Sequence, residues 1–162
     1  MKKIKWYFVL INLSVLLLYF NFSVFKKESL LEKGELVLFQ LAPVDPRSLM
    51  QGDYMILRYS IADSVLEEHL DKRGYCVIQV DSNLIAKRIR FQPDKTPLHA
   101  GEKLIKYTAP GLWSISLGAE SYFFQEGQAE KFQKAVFGGL KIDDEGNSLL
   151  IGLYDDKRQK IN

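Results

Sequence analysis

Ser48 and Lys87 are the residues whose types could make a covalent catalyst. In serine–lysine chemistry the hydroxyl attacks an amide carbonyl and a lysine held neutral by burial takes its proton. Lys87 alternates with Ile85, Ile89 and Phe91 on a strand candidate, apolar surroundings that disfavour a charged ammonium. The plainer reading is a strand lysine whose stem packs while its ammonium reaches water. Other chemistries find less footing. His69 and His99 lack the spacing of a zinc pair. In "DDEGN", Gly146 falls at the fourth position where a calcium loop needs one at the sixth, so the segment reads as a hairpin turn. Cys76, between Tyr75 and Val77, reads as a buried, inert thiol. No metal site and no cofactor is expected.

Binding chemistry is better represented, in "QGDYMILRYSI". Strand alternation puts Met55, Leu57, Tyr59 and Ile61 on one face and Tyr54, Ile56, Arg58 and Ser60 on the other. The first set is the core face, with the Tyr59 hydroxyl expected to find a partner. The second is half polar, and Tyr54 and Arg58 are the pair the fold does not obviously need. Gly52 suits a tight turn before the strand, and Asp53 can clasp that turn through backbone N–H groups. Arg88, Tyr122 and Glu126 are further candidates for this face. Glu126 either meets the N-terminal dipole of a following helix or pairs with Arg88 or Arg58 across the sheet.

The elements that must carry these residues begin with an apolar segment. From Trp6 to Phe25 no residue is charged, and those 20 positions would span roughly 30 Å as a helix, the thickness of a bilayer's hydrocarbon core. Lys2, Lys3 and Lys5 precede it, Lys26 and Lys27 follow, and Trp6, Tyr7, Tyr19 and Phe20 supply aromatic residues for the interfaces. A cleavable signal peptide would want a shorter apolar core and small residues where "NFSVF" has Phe and Val. The expectation is an uncleaved anchor in the bacterial cytoplasmic (inner) membrane, touching lipid through residues 6–25. Its N-terminus is expected inside and the rest of the chain on the extracytoplasmic, periplasmic side. Subtracting the five lysines at 2, 3, 5, 26 and 27 from 22 basic residues leaves 17 against 20 acidic, about −3 for residues 28–162. The basic pI belongs to the anchor, and no cationic face suggests nucleic acid.

The remainder reads as short strands: "ELVLFQLAPV", "YMILRYSI", the hairpin "YCVIQV" with "LIAKRIRF", "EKLIKYTA", "LWSISLG" with "AESYFF", and a hairpin in "GLKIDDEGNSLLIGLY". "DSVLEEHLDKRG" could make one or two helical turns, and "QEGQAEKFQKAVF", with Phe132 and Val136 four apart, is the best helix of the domain. The expected fold is mainly β, an antiparallel barrel or sandwich, with one helix in the C-terminal half and a single N-terminal transmembrane helix before it. The expected segments are an anchor over 1–27, a stem over 28–34, a β domain over 35–156 and a polar tail over 157–162.

"GDYMILRY" matches G-D-Y-x-x-L-x-Y at every fixed position, Gly52, Asp53, Tyr54, Leu57 and Tyr59, and resembles the bacterial GDYXXLXY protein family. The similarity runs upstream into "PVDPRSLMQ" and downstream into "SYFFQEGQAEKFQKA" and "DEGNSLLIGL". The resemblance implies a small membrane-anchored protein without an assigned activity, in the company of multi-spanning membrane proteins; it supplies no catalytic residue. The layout also resembles bacterial signal peptidases, with departures. "RSLMQGD" lacks the Ser-Met-x-Pro context and its spacing, and "RFQPD" stands where Gly-x-Pro-Gly-Asp would be expected. The sequence therefore favours an accessory or interaction module for another membrane protein, with a hydrolase using Ser48 and Lys87 as the alternative.

Overall fold

A computed structural model describes residues 2–42, 54–63, 70–109, 111, 115–125 and 127–161. Helix α1 runs from Lys2 to Lys33. It passes through the charged stem without interruption because no helix breaker occurs before Gly34, where the Gly34 N–H donates to Leu30 O at 2.9 Å. Leu30 is buried, and the Lys141 ammonium donates to Gly34 O at 2.6 Å. The end of the helix is thus seated on the β domain.

Among the described residues eight strands follow: β1 Glu35–Gln40, β2 Tyr54–Ile56, β3 Arg73–Val80, β4 Ala86–Gln92, β5 Glu102–Thr108, β6 Ser121–Phe123, β7 Phe137–Ile142 and β8 Ser148–Tyr154. They form three antiparallel sheets, ordered β1-β7-β8, β4-β3-β5 and β2-β6. The sheets pack around a shared core and do not close into a barrel. Val37, Phe39, Ile78, Ile105, Leu140 and Leu153 are fully buried at its centre, with Cys76 as one more small apolar side chain. Bridges between Leu38 and Ile85 and between Leu41 and Tyr59 tie β1 to the other two sheets.

Both hairpins are held by an aspartate. Asp81 accepts from the N–H groups of Asn83 and Ile85 at 2.8 and 3.0 Å, and the Ile85 bond most of all lowers its pKa. Asp143 accepts from the N–H groups of Glu145 and Asn147 at 3.0 and 2.8 Å, and Gly146 takes the left-handed φ of +76° that closes the turn.

Two elements differ from expectation. The C-terminal-half helix, α2, spans only Ala129–Phe132, because Phe132 is buried while Glu130 and Lys131 are exposed and chain beyond Ala135 leaves to pair as β7. The motif strand is three residues long; after Leu57 and Arg58 the chain makes the Leu41–Tyr59 bridge and turns into a 3-10 segment, Ser60–Ala62. Among its described residues the segment "LWSISLG" contributes a single bridge, Ser116 to Thr108. Positions 64–69 and 112–114, part of the expected helical turns and of that strand, lie outside the described residues.

Candidate functional site

The motif segment splits by face as alternation dictates. Met55, Leu57, Tyr59 and Ile61 are buried, while Ile56, Arg58 and Ser60 are exposed. Tyr59 is 1 % exposed and its hydroxyl donates to Ala119 O at 2.6 Å. Its ring meets Phe39 edge-on, with centroids 6.0 Å apart. On the far side Gly138 admits it, since a Cβ there would lie 2.9 Å from Tyr59 Cε1. Burial and the nearby Glu120 carboxylate push the phenol pKa well above its ordinary value, so it stays neutral and a donor.

The outer face joins β2 to β6, with Tyr54 opposite Phe123 and Ile56 opposite Ser121. Ile56 is 51 % exposed and Phe123 73 %, an unusual outlay of large apolar side chains beside a strand. Arg58, whose side chain is 61 % exposed, makes an ion pair with Asp63 at 3.1 Å. Arg88 reaches the same turn from β4, donating to Ile61 O at 2.8 Å and Asp63 O at 3.1 Å, with its guanidinium 5.0 Å from the Phe91 ring centre. Two shallow clefts flank Arg58. One, about 280 Å³, runs past Ile56 to Phe132 and Val136; the other, about 310 Å³, is edged by Asp63, Ser116 and Glu120.

The expected site residues divide accordingly. Arg58 and Arg88 come together around Asp63, where Arg88 serves the turn and Arg58 the surface. Tyr122 sits on the inner side, opposite Met55, with its ring 5.1 Å from that of Phe132, so it is a packing residue and not part of the outer face. Tyr54 has its backbone in β2. Ser48, Gly52, Asp53, Glu126 and His69 lie outside the described residues. Lys87 is exposed at the strand surface rather than enclosed among apolar side chains, so the burial on which a serine–lysine pair depends is missing there. Among the described residues no group of His, Cys, Asp and Glu could hold a metal ion.

Sequence reasoning passed over Asp63, Glu120 and Phe123. Glu120 accepts from the N–H groups of Leu117 and Gly118, closing the turn that presents Ala119 to Tyr59. Phe123 could have been found by extending the alternation of "SYFF" across from Tyr54.

A helix long and apolar enough to cross a membrane, seated on an antiparallel β domain whose motif strand anchors a buried tyrosine, defines a small, mostly β protein with an apolar N-terminal helix. The chain belongs to the GDYXXLXY protein family, whose model matches residues 16–153, from within the apolar helix to the end of β8. No curated protein and no solved structure matches it.

Proposed function

We propose that the chain is a membrane-anchored accessory module, held by α1 in the cytoplasmic membrane with its N-terminus inside, whose β domain binds another membrane protein on the extracytoplasmic side. The observation that carries this reading is the outer face of the motif strand. Exposed Ile56 and Phe123 beside Arg58 combine the apolar, aromatic and guanidinium groups enriched at the centres of protein interfaces. The fold has little use for Arg58, because an exposed pair such as Arg58–Asp63 contributes about 0–1 kcal/mol. The continuity of α1 into the domain, with Leu30 buried, supports a retained anchor rather than a cleaved leader. It also starts the β domain close to the membrane, since Lys26 to Lys33 as helix add only about 12 Å above the apolar run.

Alkaline phosphatase fused after Asn162 should be active and a cytoplasmic fluorescent reporter at the same place dark; the reverse pattern contradicts the orientation. Copurification in mild detergent tests the binding role, comparing the native chain with Arg58→Ala and Tyr54→Ala.

A further inference from the structure

The two clefts beside Arg58 differ in chemistry. Asp63, Ser116 and Glu120 edge one, whereas no carboxylate lines the other, in which Arg58 is the only charged side chain among the described residues. The walls of this second cleft are fixed in advance. The end of β1 ties them together, the Leu41 N–H donating to Val136 O at 2.9 Å and the Ala42 N–H to Arg58 O at 2.7 Å. Phe132, which lines it from α2, is held with its ring 5.1 Å from that of Tyr122 and 5.4 Å from that of Phe124. A preformed cleft spares a ligand the cost of ordering it. Arg58 brings donors that the fold leaves over. Among the described residues its guanidinium donates only through Nη2, to Asp63, while such a group has five N–H donors and binds a carboxylate best through two. Lys131 and Lys134 are exposed on the segment that carries Phe132 and Ala135, and neither makes an ion pair among the described residues. Set against Asp63 and Glu130, the three cations Arg58, Lys131 and Lys134 leave the described border of the cleft positive, on a domain whose total is about −3.

We propose that this cleft receives one large apolar side chain of the partner protein, with a carboxylate of the same partner segment bound to Arg58. The inference rests on the binding role of the outer face and adds the chemistry of the partner. Size supports a side chain. At about 280 Å³ the cleft falls below the roughly 300–1,000 Å³ of small-molecule sites, and an apolar cavity of about 150 Å³ takes a benzene ring. Apolar exposure continues past the rim onto Ile56 and across the outer face to Phe123, surface that a small ligand leaves wet and a protein segment covers. Charge supports the acid. A basic segment entering here meets Arg58, Lys131 and Lys134 with like charge and finds no carboxylate in the cleft, whereas an acidic one is drawn in by all three.

The test uses the full chain in native membranes, with a photoreactive benzophenone amino acid at exposed Gln133 on the cleft or at Ser116 in the neighbouring one, and the unfolding temperature recorded for each. Irradiation should join Gln133, and not Ser116, to a protein segment that has Asp or Glu within about four positions of an apolar residue, the reach of one helical turn. Reversing that acid to Lys in the partner should cut its copurification about tenfold, and Arg58→Glu in this chain should restore it. Gln133→Trp, which fills the cleft from its rim without touching the core, should cut copurification by a similar factor at an unchanged unfolding temperature. With a partner still copurifying, four results would each overturn the cleft assignment and leave the binding role standing: no cross-link from Gln133, a cross-link from Ser116 alone, a cross-link to lipid or to a segment without the acid, or no restoration by the swapped pair. No cross-link from either position and no copurified partner would overturn both.

Discussion

Replacing Tyr59 by phenylalanine removes one oxygen from the centre of the domain and leaves the ring where Phe39 and Gly138 hold it. The lost bond is the 2.6 Å hydrogen bond to Ala119 O, and Ala119 is itself buried, so its carbonyl is left without that donor and without water. A polar group orphaned in this way costs about 1–3 kcal/mol. For a domain of this size that corresponds to a Tm lower by about 4–12 °C. Tyr59→Ala, which also empties the ring's volume, should cost about 3–5 kcal/mol. Arg58→Ala, one residue away on the exposed face, should change stability by no more than about 1 kcal/mol. The assay is thermal and denaturant unfolding of the full chain in mild detergent, followed by circular dichroism of the β domain. A Tyr59→Phe protein as stable as the native one, or an Arg58→Ala protein as damaged as Tyr59→Phe, would refute the division of the motif into a core face and a surface face.

Three further outcomes follow from the same geometry. Gly138→Ala should destabilise the domain by about 1–3 kcal/mol by pressing a Cβ onto the Tyr59 ring, whereas Gly111→Ala, which meets nothing within 4 Å, should stay within about 0.5 kcal/mol in the same unfolding experiment. The Glu102 carboxylate accepts from both Arg90 guanidinium nitrogens, at 2.5 and 2.9 Å, and from His99 N–H. These bonds, Arg90's above all, lower its pKa from 4.5 to about 2, so its stabilising contribution is present above pH 4.5 and lost as pH falls towards 2. Glu102→Gln should flatten that part of the stability–pH curve, and an unchanged acid slope would count against the pairing. Because the Tyr59 phenol is stabilised in its neutral form, its contribution is present below the ordinary tyrosine pKa of 10.0 and lost as pH rises beyond it. Ultraviolet titration should therefore show one late-ionising tyrosine fewer in Tyr59→Phe than in the native chain, where burial also raises Tyr154.

Much of this arrangement was legible in the residues because local rules agreed with the fold. Period-two alternation placed Met55, Leu57, Tyr59 and Ile61 inside, and the turn residues Asp81-Ser82-Asn83 and Asp144-Glu145-Gly146-Asn147 marked the two hairpins, though not Asp143 as the clasp of the second. What was not legible depended on distant partners. The Gln-, Glu- and Lys-rich segment before β7 has helical propensity, but among its described side chains only Phe132 is buried, so one turn forms. The stem looked like a linker because its charges hide Leu30, the one side chain that docks it. Between the barrel and the sandwich the sequence could not choose; the sheets stay open because β2 and β6 pair for only three residues each. At the candidate site, Arg58 was visible from its face alone. The duty of Arg88 was not, since the Ile61 and Asp63 carbonyls it holds lie 27 and 25 residues away in sequence.

We propose that the outer face of the motif strand binds a protein partner at the membrane surface. Its most direct measurement is quantitative copurification from native membranes of the tagged full chain, native or carrying Arg58→Ala or Ile56→Asp, with thermal unfolding recorded for each. A stoichiometric partner is expected with the native chain, and a loss of at least tenfold in its recovery with either variant, at an unfolding temperature within a few degrees of native. Recovery of no partner, or recovery undiminished by both substitutions, would contradict it.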